Sequence, residues 1–166
     1  MPRERERWLT QDLLKSLLHY DRDTGVFTWT KTAKAGRVAG TSHNEGYWHV
    51  TIRQRQFLAH RLAWLYVYGV WPTNDVDHMN GKRNDNRIAN LREATRSENL
   101  RNTGKRQSNK SGFKGVSFCR ETGRWSAIIS VDYKSIRLGR FATPEEAHAA
   151  YVAAAERLHG EFARAA

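Results

Sequence analysis

The stretch DVDHMNGKRNDNRIANLREATRSENLRN, residues 75–102, decides the fold of the first part of the chain. Its short apolar start predicts a strand. A turn rich in Gly and Asn follows, and residues 88–92 are predicted to return as a second strand. Thr95 and Glu98 then have the spacing of a capping box, which predicts that a helix begins there. The local order is therefore strand, turn, strand, helix.

Three polar residues of this stretch, Asp77, His78 and Asn99, are expected to come together when the hairpin packs on the helix. A carboxylate and an amide oxygen are hard donors that suit one divalent ion, Mg²⁺ or Mn²⁺, which also binds substrate phosphate. A neutral histidine can take a proton from an attacking water. The metal can stabilise charge on a scissile phosphate. The cluster therefore predicts the parts needed to hydrolyse a phosphodiester.

Residues 58–102 resemble the HNH endonuclease family, in its homing-endonuclease and phage branch, through the pattern DH, NG, DNR, NLR, T and EN. The resemblance implies that His78 is the general base and that Asp77 and Asn99 hold the metal. It implies that Asn90 braces the loop that aims the histidine. The last family position is often His, and the Asn found here is a common variant in this branch.

The other polar residues of the turn have a plainer interpretation. Asn, Asp and Gly are frequent in turns because they tolerate positive φ and bond to nearby backbone. A purely structural role is therefore favoured for four of them: Asn80, Asn84, Asp85 and Asn86. Two neighbouring cations, Arg87 or Arg92, are candidates to steady the phosphate.

Composition favours a folded protein with a polyanionic partner. The chain has 166 residues, a formal net charge of +11 and a pI near 10.2. Such an excess of positive charge favours rapid, salt-sensitive association with nucleic acid. Six Trp, six Tyr and six Phe argue against a disordered basic tail.

Several protein classes are disfavoured by the sequence. A single cysteine, Cys119, excludes an internal disulfide and paired Cys-x-x-Cys zinc knuckles. No apolar run approaches the length of a membrane span, and the charged start MPRERERW lacks the apolar region of a signal peptide. We expect an intracellular protein with neither a membrane partner nor a small-molecule cofactor.

The first part of the chain is predicted to add elements before the decisive stretch. In order, these are a helix from Thr10, a strand at 26–30, a loop at 31–42, a hairpin at 46–58 and a helix at 60–68 ended by Gly69. His60 and Arg61 head the last helix, where a helix N-terminus beside a cation can bind phosphate. Both are candidate DNA contacts, with burial in the core as the alternative, and His60 is not predicted to be catalytic.

The second part of the chain predicts a small sheet and one helix. Residues 103–111 are polar and basic, which predicts a flexible linker. Three β-prone runs follow at 113–118, 124–131 and 135–141, joined by tight polar turns. Thr143-Pro144-Glu145-Glu146 then predicts a helix start in strong form, with Thr as N-cap, Pro at N1 and Glu at N3.

This second part resembles the ethylene-response-factor (Apetala-type) DNA-binding domain. The resemblance is carried by Gly115-Val116, Arg124-Trp125, Leu138-Gly139 with Phe141, and an Ala-rich helix containing Ala147, Ala150, Tyr151 and Ala154. It implies a three-stranded sheet in the DNA major groove, with contacts from Lys114, Arg124 and Arg137 or Arg140. Trp125 is either a contact or a core residue. Ser117, Ile128 and Ser130 depart from the usual charged pattern, so a sequence preference cannot be inferred.

A charge count supports the same conclusion. Residues 101–140 contain ten Lys or Arg against one Glu and one Asp. Basic residues interleaved with aromatic ones on β-structure are typical of a nucleic-acid face. The further candidate DNA contacts are Lys105, Arg106, Lys110 and Arg120.

The sequence as a whole predicts an α+β protein, a ββα-metal HNH nuclease region followed by a three-stranded antiparallel sheet packed on one helix. The expected domains are 1–102 for the nuclease, 103–111 for the linker and 112–166 for the DNA-binding domain. The predicted protein is a monomer or weak dimer that nicks double-stranded DNA, in the bacterial cytoplasm if phage-encoded. The alternatives are a non-catalytic DNA-binding regulator and, more distantly, an RNA-binding or RNA-cleaving module.

Overall fold

The computed structural model describes residues 4–31, 33–105 and 108–163, and confirms the predicted α+β class. The chain divides into two compact units, Met1–Thr95 and Arg96–Ala166, called here the first and second units. None of the helices in these described ranges is long and apolar enough to cross a membrane.

The first unit begins with a short helix and a hairpin. Helix α1 (Gln11–Leu17) starts where the Thr10 hydroxyl accepts a hydrogen bond from the Leu13 N–H at 3.3 Å. It leads directly into β1 (Leu18–Tyr20), which pairs antiparallel with β2 (Phe27–Trp29).

A three-stranded sheet and a helix follow. Strands β3 (Thr41–Ser42), β4 (Trp48–Ile52) and β5 (Arg55–Leu58) lie in that order, so the segment predicted as a loop ends in a short strand. Helix α2 (Ala59–Tyr68) ends at Gly69, whose φ of 78° is the left-handed conformation that glycine adopts at helix ends.

The core of the first unit is built from these elements. Its largest fully buried apolar side chains are Leu9, Leu14, Leu18, Phe27, Val50, Ile52, Leu62 and Leu65. Val76 and Leu91, from the predicted nuclease hairpin, pack into the same cluster. The hairpin is therefore anchored by an apolar residue on each of its strands.

The decisive hairpin consists of β6 (Asp75–His78) and β7 (Leu91–Ala94), paired antiparallel. The predicted second strand at 88–92 is wrong in its first half, which forms a 3-10 turn at Ile88–Asn90. The turn forms because the Asn90 N–H bonds to the Arg87 carbonyl at 2.9 Å, three residues back. Strand β7 therefore begins only at Leu91.

The second unit contains α3 (Arg96–Arg101), strands β8 (Val116–Cys119), β9 (Arg124–Val131) and β10 (Lys134–Phe141), and α4 (Pro144–His159). The sheet order is β10-β9-β8, all antiparallel, as a meander requires. Thr143 and Glu146 form the predicted capping box at the start of α4.

Small residues let α4 lie close on this sheet. Ala147, Tyr151 and Ala154 are buried against Ala127 and Ile129 of β9. The segment predicted as a linker carries fixed contacts at its end, because the Ser111 hydroxyl oxygen lies 3.0 and 2.8 Å from the carbonyl oxygens of Phe113 and Val116.

Candidate active site and nucleic-acid interface

His78 ends strand β6 and is buried, with 4% of its surface exposed. Its Nε2 lies 3.1 Å from the side-chain oxygen of Asn86. The Asn86 amide nitrogen donates to the Asn84 carbonyl at 3.4 Å, which turns the amide oxygen towards the imidazole. When Nε2–H donates to this amide oxygen, Nδ1 of the neutral ring holds the lone pair that can accept a proton.

The surroundings of His78 keep it neutral. Burial lowers the pKa of His78 below its usual value, and the hydrogen bond with Asn86 and the charge of Asp77 offset this only in part. A general base must be unprotonated before it acts, so this shift suits the predicted role.

Asn90 links the two arms of the loop between β6 and β7. Its side-chain nitrogen donates to the Asn80 side-chain oxygen at 3.1 Å and to the Asp85 carbonyl at 2.8 Å. Its side-chain oxygen accepts from the Asn80 N–H at 3.0 Å. The contacts are those that a loop-bracing residue would make.

Asp77 faces Arg92 across the β6–β7 ladder. The Arg92 Nε and Nη2 both donate to Oδ2 of Asp77, at 3.0 and 2.9 Å. Both groups are largely buried, with 12% of the Arg92 side chain and 6% of the Asp77 side chain exposed. Arg92 therefore orients Asp77, and a contact with phosphate would require it to share or leave this carboxylate.

The predicted metal ligands fit a hard cation by their chemistry, because both Asp77 and Asn99 present oxygen donors. Asn99 lies half-buried in α3 of the second unit. Over the ranges that the structure describes, no group of three or more His, Cys, Asp or Glu side chains could hold a metal. A set of one carboxylate and one amide would leave most coordination positions to water and phosphate.

Arg87 projects from the same loop with half of its side chain exposed. Its guanidinium bonds to both oxygens of Asp85, at 2.7 and 2.6 Å. Arg87 holds the pKa of Asp85 down, at about 2. Arg87 is thus the more accessible of the two predicted phosphate-steadying arginines.

His60 and Arg61 do not lie where an outward DNA contact requires. Arg61 is 4% exposed and forms a two-pronged ion pair with Glu6, at 2.7 and 2.8 Å. His60 is equally buried, and its ring lies 5.0 Å from that of His78 and 5.4 Å from that of Tyr47. Burial in the core, the alternative to a DNA contact, therefore fits Arg61. His60 packs beside His78, the predicted general base.

Asn86 is the residue of this site that the sequence did not single out. The sequence favours a turn-forming role for Asn86, yet this residue is 3% exposed and contacts His78. A run of three polar residues, Asn84, Asp85 and Asn86, gives no signal of which one points inward. Asn86 and His78 are also separated by an irregular loop, so no strand or helix periodicity relates their directions.

The second unit presents a basic sheet face. Alternate residues of β9, Ala127 and Ile129, are buried towards α4. Arg124 has the opposite orientation, and the strand registers place Arg137 and Arg140 on its face. All three arginines are exposed on the side of the sheet away from α4.

Trp125 lies on the other face. It packs against the buried cluster of Val116, Ala127 and Ala147, with its ring 5.1 Å from that of Phe118. The core alternative fits Trp125, because the alternation of β9 turns it towards the helix, and its half-buried side chain also lines the groove described below.

The remaining predicted contacts lie around one groove. A groove of about 820 Å³ is lined by five cations among other residues: Arg101, Lys105, Lys110, Lys114 and Arg120. The Lys114 Nζ donates to the Arg101 carbonyl at 2.7 Å and the Lys105 Nζ to the Gly112 carbonyl at 3.0 Å. Arg106, also a candidate contact, lies outside the described residues.

Comparisons with known proteins agree with this geometry. A family model for HNH endonuclease matches residues 57–101, and one for the AP2 domain matches residues 111–161. Protein 3.8 of Escherichia phage T7 is 33% identical over 89 residues, which cover 54% of this chain and 73% of that protein. The chain belongs to the HNH endonuclease family. Both predicted resemblances are thereby confirmed.

The HNH match contains the hairpin that carries Asp77, His78 and Asn90, and the AP2 match contains β8 to α4. This combination indicates a DNA-binding protein with a nuclease domain. No solved structure matches the chain significantly.

Proposed function

We propose that this HNH protein is a metal-dependent endonuclease that hydrolyses phosphodiester bonds in duplex DNA, and that its AP2 domain positions it there. One observation carries the proposal: Nε2 of the buried His78 lies 3.1 Å from the side-chain oxygen of Asn86, an acceptor. This contact selects the tautomer in which Nδ1 can take the proton of an attacking water.

The residues around His78 have distinct roles in this mechanism. Asn90 holds the two arms of the loop together, so the imidazole keeps its direction. Arg92 orients Asp77, and Arg87 is exposed enough to steady the phosphate that is attacked. A Mg²⁺ or Mn²⁺ ion, when held by Asp77 and Asn99, would supply charge stabilisation at the phosphate and leaving oxygen.

The AP2 domain would bring the outer face of its sheet to DNA. Arg124, Arg137 and Arg140 share that exposed face, and Lys114 lines the groove together with Arg120. Arginine can contact both phosphates and guanine edges. Phosphate contacts position a protein without reading sequence, so the domain would place the nuclease more than it specifies a long site.

One catalytic histidine per chain cuts one strand, so we propose that a monomer nicks and that a double-strand break needs two chains or two visits. The proposed division is a nuclease domain at 1–102, a basic linker at 103–111 and the AP2 domain at 112–166. The similarity to a phage protein supports action in the cytoplasm of a bacterial host, as a homing or phage-borne enzyme.

The test is cleavage of supercoiled plasmid at low salt, with Mg²⁺ or Mn²⁺ and with chelator. The wild type should convert it to open circle only with metal. His78→Ala should lose about 10²–10⁴-fold in rate while its DNA affinity changes little. His19→Ala, at an exposed position of β1, is the matched control and should cut normally. Wild-type activity in His78→Ala would refute the base assignment.

A non-catalytic DNA-binding regulator is the second candidate. The contact between Arg92 and Asp77 favours it, because the guanidinium already neutralises the carboxylate that a metal would use. That candidate predicts tight plasmid binding and no cleavage with any metal. Adding Arg92→Ala to the same assay separates the two, since only a latent nuclease could gain metal-dependent activity from it.

A further inference from the structure

The N-terminal hairpin makes a long-range contact with the loop that holds His78. The Tyr20 hydroxyl, on β1, donates to the Asn86 backbone carbonyl at 2.6 Å. Both residues are 3% exposed, so water does not replace this bond without opening the core. Tyr20 lies outside the part of the chain that matches the HNH model.

The turn of the same hairpin lies directly against the same peptide. Gly25 has a φ of +74°, and a Cβ built on it would come within 2.5 Å of the Arg87 nitrogen and of the Asn86 carbonyl carbon. No other residue fits there without moving the backbone. The turn is itself fixed by Asp21, whose carboxylate accepts from the N–H groups of Asp23 and Thr24 at 2.9 and 3.3 Å.

The Tyr20 ring is held in place independently of its hydroxyl. Its centroid lies 4.7 Å from that of Phe27 and 5.6 Å from that of Tyr66. Burial raises the pKa of Tyr20, partly offset by a hydrogen bond with the Ile88 backbone, so the hydroxyl remains a donor.

We propose that the β1–β2 hairpin is a positioning element for the general base. Tyr20 and Gly25 fix the Asn86–Arg87 peptide, the fixed peptide holds the Asn86 side chain, and Asn86 holds the His78 tautomer. Tyr20 is then a positioning residue, acting on His78 through Asn86. The catalytic role of His78 in this inference rests on the proposed function, but the geometric coupling does not.

The decisive variant is Tyr20→Phe, which removes one oxygen and keeps the ring packing. Tyr66→Phe is the matched control, because it removes a hydroxyl from the same ring cluster. In plasmid nicking, Tyr20→Phe should lower kcat about tenfold with KM nearly unchanged, the size of effect seen for outer positioning groups. Tyr66→Phe should stay close to wild type.

A second readout does not depend on activity. The ¹⁵N chemical shifts of the His78 ring, measured where the ring is neutral, report which nitrogen carries the proton. Wild type and Tyr66→Phe should show the proton on Nε2, and Tyr20→Phe should show a mixture of tautomers. Asp21→Ala, which loosens the turn, should move the shifts in the same direction and serves if Tyr20→Phe does not fold.

The outcomes separate the positioning role of the β1–β2 hairpin from the proposed nuclease function. A wild-type tautomer in both Tyr20→Phe and Asp21→Ala overturns the positioning role, even if the rate falls. If the wild type cuts no DNA, the proposed function fails, and the ring shifts alone decide whether the hairpin controls His78.

Discussion

The two units use their polar side chains in opposite ways. The first unit buries them in pairs, such as Arg61 with Glu6 and His78 with Asn86. The second unit displays Arg124, Arg137 and Arg140 on an open sheet face. A reaction centre requires fixed geometry, whereas a nucleic-acid face needs cations that can reach phosphates. Changes in the first unit should therefore affect stability and kcat, and changes in the second should affect binding.

The largest expected effect is on stability, from the buried ion pair. Glu6→Gln leaves the Arg61 guanidinium buried without its counter-charge, and we expect a loss of about 3–5 kcal/mol in unfolding free energy. Urea unfolding followed by tryptophan fluorescence measures it.

The contrasting pair in the second unit is the control for that experiment. Asp132, paired with Arg101 at 2.6 Å, is 72% exposed, so Asp132→Asn should change stability by no more than about 1 kcal/mol. Equal losses from both variants would contradict the division between buried and displayed charge.

The next effect is on catalysis. Asn86→Ala removes the group that holds the His78 tautomer, so kcat should fall about 10²-fold while DNA affinity changes little. Because the two residues act as a unit, the double variant with His78→Ala should be no slower than His78→Ala alone. Multiplicative losses in the double variant would show that Asn86 acts by another route.

The features of this structure that can be predicted from the sequence are those encoded by residues close together in the chain. The capping box of Thr143 and Glu146 and the meander before it are short-range features, and the structure has them where they were predicted. The sequence predicts a strand where the 3-10 turn at Ile88–Asn90 lies, because a hydrogen-bonded loop, and not a periodic pattern, forms this turn. The contact of Tyr20 with Asn86 spans 66 positions, and no local pattern encodes it.

The next effect concerns DNA binding by the second unit. Replacing Arg124, Arg137 and Arg140 together by Ala should weaken binding and reduce the slope of log affinity against log salt by about 3. Maximal nicking at saturating protein should change little, because no residue of the His78 site is touched.

Arg157→Ala is the matched control for the sheet arginines. Arg157 is an exposed cation of the same unit, but it lies on α4 and not on the sheet. Its loss should leave most of the salt slope intact. A drop equal to one third of that of the triple variant would mean that net charge, and not the sheet face, carries the binding.

The smallest effect is a pH dependence in the first unit. Arg87 lowers the pKa of Asp85 to about 2 in the folded protein, against an ordinary value near 4. A depressed folded pKa stabilises the protein above the unfolded pKa, and this stability is lost as pH falls from about 4 to 2. Asp85 is near the surface, so solvent screening keeps the contribution small.

Asp85→Asn tests this, because the amide keeps an acceptor for Arg87 and Asn80 but removes the titrating charge. Unfolding free energy measured from pH 6 to pH 2 should differ between wild type and variant at the upper end and converge at the lower end. A constant difference would mean that the loop is held by hydrogen bonds alone. In that case the geometry of the His78 loop would not depend on the Asp85–Arg87 ion pair. The first unit would then rely on fixed hydrogen bonds, whereas the sheet of the second unit relies on exposed charge.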